Sequence, residues 1–349
     1  MTPIQQMLLG VGGLLQKFFG DKGIHIGGMT NQGSSVNDFM KSVSIQTIST
    51  GANSTDWGDL YTFGGYKIGS SMSDGSKAYH HDAMRWYSNT QYWLRTYSVL
   101  TFAGGVSHPG YELPQDGTYT GLSEKRTISN GLRGCWYGGS PRGSGSGATY
   151  RRNDYITFAS LADATAFGTI NRNYSDDGAC GHCGNKTRGL MFWGGNTTYQ
   201  IDYVVVDTTS NAFSFGDYNL EWRNQYGYNG RSKGAWCSDE TRGIFMGGNA
   251  PFGGSSNTIG YVTIDTTGNT TDFGDMQTGY YNHVLHGGCY SNGTRGVWAG
   301  GKGGAWNVST EPWVGQRSSY VTISTTGDAS SGGNLDVRRC EAGSSCSGD

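Results

Sequence analysis

Apolar residues in this chain come in short runs, each opened by a polar turn and closed by a glycine pair, and the runs recur. Residues 291–301 read SNGTRGVWAGG: a Ser-Asn-Gly-Thr turn, Arg-Gly, then Val-Trp-Ala, then Gly-Gly. The same text stands at 238–248 (SDETRGIFMGG), 185–195 (NKTRGLMFWGG) and 129–139 (SNGLRGCWYGG). Looser copies stand at 73–83 (SDGSKAYHHDA) and 21–28 (DKGIHIGG). The basic residues that mark the register, Lys22, Lys77, Arg133, Arg188, Arg242 and Arg295, are spaced by 55, 56, 55, 54 and 53. Self-similarity at such a period signals a repeat architecture rather than one irregular core.

A second alternating stretch follows each Gly-Gly: Tyr261–Ile264 and Tyr320–Ile323 (both YVTI), Tyr203–Val206, Tyr155–Phe158 and, more worn, Ile45–Ile48 and Tyr97–Leu100. Nine residues beyond it stands an aromatic in four copies: Trp57, Phe167, Phe215 and Phe273. Three of these fall in Trp/Phe-Gly-Asp, which reads as a turn fixed by the Thr, Gly and Asn of DTTGNTTDFGD. Pro109 and Gly332 fill that place in the other two copies and read as drifted turns.

Four strands per unit are thus expected: the Arg-Gly strand, the Tyr-Val-Thr-Ile strand, one after Phe-Gly-Asp, and one leading into Ser-Asn-Gly-Thr. Six such units suit a propeller, whose blades usually number about 4–8. A linear solenoid would need polar caps. Instead residues 344–349 (SSCSGD) restart the Cys-Ser-Asp-Glu of 237–240 and break off, and the missing continuation, Lys22-Gly23-Ile24, stands at the other end. The expected fold is all-β, one closed six-bladed β-propeller over 21–349. Its repeats run approximately 21–71, 72–127, 128–182, 183–236, 237–289 and 290–345, with 346–349 closing the ring.

Composition agrees. Sixty glycines against 6 prolines, with 10 Trp, 22 Tyr and 13 Phe, describe many tight turns and a core built on aromatic rings. The net charge of −2 argues against a strongly basic nucleic-acid binder. No run of 18 apolar residues offers an ordinary membrane span.

Residues 1–20 stand apart. Ile4, Met7, Leu8, Val11, Leu14, Leu15 and Phe18 recur at helical spacing, but Gly10, Gly12 and Gly13 weaken an isolated helix by about 1 kcal/mol each. The segment lacks the basic start and small-residue cleavage site of a signal peptide. It reads as a docking tether that orders on another protein, or else as a strap across the bottom of its own fold.

Chemical motifs are few. Cys180-Gly-His-Cys183 precedes a strand, not the helix a redox pair uses. Cys183 and Cys237 each lie five residues before their marker, where Met72, Ile128 and Tyr290 stand in other copies. Cys346 takes the matching place at the closure. The position reads as buried packing, with a Cys180–Cys183 disulfide or metal as the alternative; a structural zinc would need a second ligand pair. His80-His81-Asp82 align with Phe-Met-Gly of another copy and read as packing or loop residues. The Arg markers recur in nearly every unit, whereas a catalytic residue need occur only once. They read as structural partners of the turn aspartates, by ion pair or hydrogen bond.

Variation concentrates between Gly-Gly and the Tyr strand, where marker-to-Tyr distances run 23, 20, 22, 15, 19 and 25. That places six variable loops on one face of the ring, where recognition usually resides. They carry Trp86, Tyr87, Tyr92 and Trp93; Arg142, Tyr150, Arg151 and Arg152; and Trp306 and Trp313. Exposed rings among Ser, Asn and Gly suit a sugar face or a protein partner; they equally suit a loop's own small core.

The glycine pairs (Gly27-Gly28, Gly138-Gly139, Gly194-Gly195, Gly247-Gly248, Gly300-Gly301), the downstream Tyr and the aromatic after it resemble the kelch family of β-propellers over about residues 20–349. The chain departs from kelch in having Phe-Gly-Asp where that family has Trp, and in the added Thr-Arg-Gly. The fuller pattern TRGxxxGG…YVTIxTTGNxxDFGD, with the opening IQQMLLGVGG, is similar to repeats in virion proteins of marine and cyanobacterial bacteriophages. The resemblance implies a non-enzymatic virion protein of tail or fibre type, present in multiple copies per particle. Its N-terminus would dock on other tail proteins, and its loop face would bind host-surface glycans or a neighbouring subunit. No cofactor or metal is implied. The alternatives are a propeller glycan hydrolase or lyase, and a free lectin-like or adaptor propeller.

Overall fold

The computed structural model describes residues 19–30, 39–60, 65–67, 70–82, 84–87, 90–107, 111–113, 122–123, 125–138, 140–141, 152–171, 179–193, 200–217, 234–247, 257–277, 287–301, 315–340 and 342–346. Six four-stranded antiparallel sheets form a six-bladed β-propeller, each a meander from an inner strand to an outer one. Blade 5 is typical: inner strand Ala235–Ser238, second strand Arg242–Met246, third strand Thr258–Thr263 and outer strand Thr271–Asp275. In blade 1 the inner strand is Gly343–Cys346, paired antiparallel to Lys22–Ile26, so the two ends of the described chain close the ring. Each inner strand touches those of both neighbouring blades, and the circuit returns to its start.

The repeated Ser-Asn-Gly-Thr-Arg is the tight turn from inner to second strand. The side chain of Asn130, Asn185, Asp239 or Asn292 accepts hydrogen bonds from the backbone N–H two and three residues on, at 2.5–3.0 Å. Such Asx turns are why short polar residues sit there. At the far end, the first glycine of the pair exits the strand left-handed: Gly27, Gly138, Gly247 and Gly300 have φ of 61°, 62°, 70° and 69°.

The core is divided among the seams. Among the described residues, six separate apolar clusters each join two adjacent blades. Between blades 5 and 6, for example, Ile244, Met246 and Phe273 meet Trp298, Val321 and Ile323. The glycine after five of the six markers makes room in its seam: an added Cβ on Gly134, Gly189, Gly243, Gly296 or Gly23 would overlap Met72, Ile128, Cys183, Cys237 or Tyr290 of the preceding blade, and Ala78 stands after Lys77. Cys183 and Cys237 are indeed buried packing residues at equivalent places, each 5% exposed.

Four expectations are corrected. Phe-Gly-Asp is the outer strand itself, not a turn. In blades 3, 4 and 5 the glycine of this strand lies flush on the next blade's hairpin, so an added Cβ on Gly168, Gly216 or Gly274 would overlap backbone at Ser210, Gly268 or Gly327, whereas Gly58 in blade 1 has open space. Gly332 has not drifted into a different turn, since Gly333 beside it lies against Ala52 in the same way. In blade 2 the third strand is two residues further on than Tyr97–Leu100 implied: Val99 opposes Tyr79 as Tyr261 opposes Ile244. At the closure Cys346 opposes Gly23 as Ser238 opposes Gly243, so Ser345, not Cys346, holds the place equivalent to Cys237.

The Arg markers bind the next blade through its backbone, not through a turn carboxylate. Arg133, Arg188, Arg242 and Arg295 each lie over a Tyr ring of their own blade, 4.4–5.1 Å from its centroid. Their guanidinium groups donate to carbonyls of Asp207, Ile264, Ser324 and Ser49 in the following blade, at 2.5–3.2 Å. The carboxylates of Asp207, Asp265 and Asp21 instead accept from Asn130, Asn185 and Asn292 of the preceding blade.

Candidate functional site

The meander gives the ring two unlike faces. Inner-to-second and third-to-outer turns, all short, crowd one face. Second-to-third and blade-to-blade connections, the variable ones, leave from the opposite rim. On the tight-turn face Phe19 packs against Gly293, in the inner-to-second turn of blade 6, and lines the mouth of the axial channel. Phe19, the first described residue, thus stands at this mouth.

The channel holds a cavity of about 90 Å³ lined by strands of all six blades, including Met72, Ile128, Cys183, Cys237, Tyr290 and Ser344. Small-molecule sites typically measure about 300–1,000 Å³, so the cavity admits a few waters rather than a sugar ring. Several hydroxyls on its inner strands are already committed. An innermost strand has one edge without a ladder partner, and its carbonyls need donors. Thr127 Oγ1 donates to Ser71 O at 2.7 Å, Ser129 Oγ to Ser73 O at 2.6 Å, Ser238 Oγ to Gly184 O at 2.7 Å and Ser344 Oγ to Cys289 O at 2.9 Å. The four bonds join blades 2 to 3, 4 to 5 and 6 to 1. These residues were missed as a set in the sequence, although Ser129 and Ser238, like Ser73 and Ser291, stand directly before the periodic turn.

Towards the loop rim the second and third strands carry buried polar groups. His25 and His81 are 0% exposed. Burial, reinforced by Arg339 for His25 and by Lys125 and His80 for His81, pushes each imidazole down to about 3, so both are neutral at physiological pH. Asp82 accepts from Ser98 at 2.7 and 2.8 Å, which makes His80-His81-Asp82 the end of a packed strand, as expected of it. Among the described residues no group of three or more His, Cys, Asp or Glu is placed to hold a metal. Lys125 and Asp154, both fully buried, pair at 3.1 Å. The fully buried Arg339 donates to the carbonyls of His25, Gly27 and Ser42 at 3.0–3.2 Å, pinning the returning chain onto blade 1.

Of the candidate rim residues, Trp86 and Tyr87 lie on a strand Met84–Tyr87, and Tyr92 and Trp93 on its hairpin partner Thr90–Trp93. With Gly65–Lys67 these strands build a three-stranded accessory sheet separate from the blade, so the four positions share one hairpin. Arg152 heads a third strand and pairs with Asp154 at 2.7 Å, which commits it to the buried ion cluster. Arg142, Tyr150, Arg151, Trp306 and Trp313 lie outside the described residues, as do Ile4, Met7, Leu8, Val11, Leu14, Leu15 and Phe18 of the tether and the side chain of Cys180.

No family model matches the chain, and no curated protein is significantly similar to it in sequence.

Proposed function

We propose that this chain is a non-enzymatic virion protein of tail or fibre type. It docks through residues 1–20 and presents its loop rim to a host-surface glycan or a neighbouring subunit. The observation that carries the reading is the two-sidedness of the ring: the chain enters at Phe19 on the tight-turn face, and the variable connections leave from the rim opposite. A tether anchored near the axis holds a rigid disc with its variable side facing outward. The small, hydroxyl-bridged channel directs attention to that rim, where Trp86, Tyr87, Tyr92 and Trp93 share an accessory hairpin. Flat aromatic faces among polar loops suit sugar rings or a protein partner.

Two variants separate the halves of the proposal. Leu8→Asp with Val11→Asp should leave melting unchanged yet abolish incorporation into particles. Trp86→Ala with Trp93→Ala should leave incorporation unchanged and reduce attachment of particles to cells. Normal incorporation of the tether variant would defeat the docking role, and normal attachment by the rim variant would defeat the recognition role.

A further inference from the structure

The seam between blades 5 and 6 differs from the other five in what it places face to face. Residues directly opposite on an antiparallel pair share a face of the sheet. Cys289 stands opposite Trp298, and Ser291 opposite Gly296, so Cys289 lies on the face of blade 6 that carries Gly296. That face meets blade 5, because the Cys237 sulfur sits over Gly296. The Cys237 thiol lies near enough across the seam to help raise the pKa of the Cys289 thiol. They belong to one packed cluster, and both line the axial cavity. The equivalent pairs are Cys183 with Trp236 between blades 4 and 5, and Met72 with Thr127 between blades 2 and 3. Neither offers a second sulfur.

We infer that Cys237 and Cys289 are a pre-arranged dithiol that closes to an interblade disulfide when the ring meets a low-molecular-weight disulfide oxidant. Cys289, half-buried where Cys237 is buried, is the first to react. Its thiolate attacks one sulfur of the oxidant, giving a mixed disulfide and releasing one small thiol. The Cys237 thiolate then attacks the Cys289 sulfur and releases the second. The protein loses two protons and two electrons, and the oxidant's S–S bond is reduced to two thiols. Burial holds the Cys289 thiol well above its ordinary value, so exchange is slow at neutral pH and speeds up in mild alkali. The product ties together two inner strands that no backbone ladder joins, and the ring gains a covalent clasp beside its hydrogen-bonded closure.

The test uses the full chain incubated with oxidised glutathione at pH 8.5, followed by acid quench, alkylation and peptide mapping. The expected result is a Cys237–Cys289 linked peptide, a mass lower by two hydrogens, and a melting temperature raised by about 3–6 °C that reductant reverses. Cys289→Ser should lose all three signatures, while Cys180→Ser and Cys183→Ser should keep them. Both thiols still alkylated after unfolding, or a disulfide that maps to Cys180 and Cys183 instead, would overturn the inference.

Discussion

Acid should loosen this ring through His25, and the size of the effect follows from its surroundings. The imidazole sits in the seam between blades 6 and 1, against Gly288 and edge-on to Tyr290, with ring centroids 4.9 Å apart. Neither ring nitrogen has a hydrogen-bond partner among the described residues. Burial first, and the charge of Arg339 second, lower its pKa to about 3. A folded-state value below the unfolded one means that the unfolded chain binds the proton more readily. Stability is therefore whole above about pH 6.5 and is lost as pH falls towards 3. Between pH 7 and pH 5 that loss is about 2 kcal/mol for this one side chain. Phe245 and Trp298 occupy the matching position in blades 5 and 6, so His25→Phe should be accepted. The variant also removes two unpaired buried nitrogens, which are costly to hold away from water. Urea unfolding of wild type and variant at pH 8, 7, 6 and 5 isolates the contribution, because other titrating groups cancel in the difference. The expected outcome is a difference that moves by about 2 kcal/mol in the variant's favour between pH 7 and pH 5. A constant difference across that range would refute the account of His25 as a buried neutral base.

Three further outcomes test the seams. Gly216→Ala should cost about 1–3 kcal/mol, because its Cβ meets the Gly268 carbonyl, whereas Gly268→Ala, with open space around it, should stay within about 0.5 kcal/mol; chemical denaturation reads both. Arg242→Met should cost about 1–2 kcal/mol through the lost Tyr261 contact and the bonds to Ile323 and Ser324 carbonyls, with binding by the rim unaffected. Deleting residues 341–349 removes the inner strand of blade 1 and leaves the edge of Lys22–Ile26 unpaired, so melting should fall further than for any of these point variants. Melting unchanged by that truncation would contradict closure by Gly343–Cys346.

Much of the fold is legible in the sequence because propeller blades are local. A meander pairs strands that are neighbours in the chain, so period, alternation and turn residues reveal each blade without knowledge of the others. The closing strand is legible too, since the repeat restarted at 344–349 resumes at Lys22. Legibility ends at the seams. The same-looking Gly in Phe-Gly-Asp could serve a turn or a flush contact, and only the approach of the next hairpin makes Gly216 obligatory. The Arg markers announce a structural role, but their partners are carbonyls just beyond the third strand of the following blade, which carry no side-chain signature. Register at worn positions is likewise tertiary: Val99 and Ser345 take their places because of what they oppose, not because of what they are. The same holds for Cys237 and Cys289, which lie 52 residues apart at different positions of the repeat. Their meeting depends on which faces of two blades turn towards each other, a quantity set by ring geometry. A period tells which residues are equivalent, whereas contact across a seam joins residues that are not, and packing alone selects those pairs.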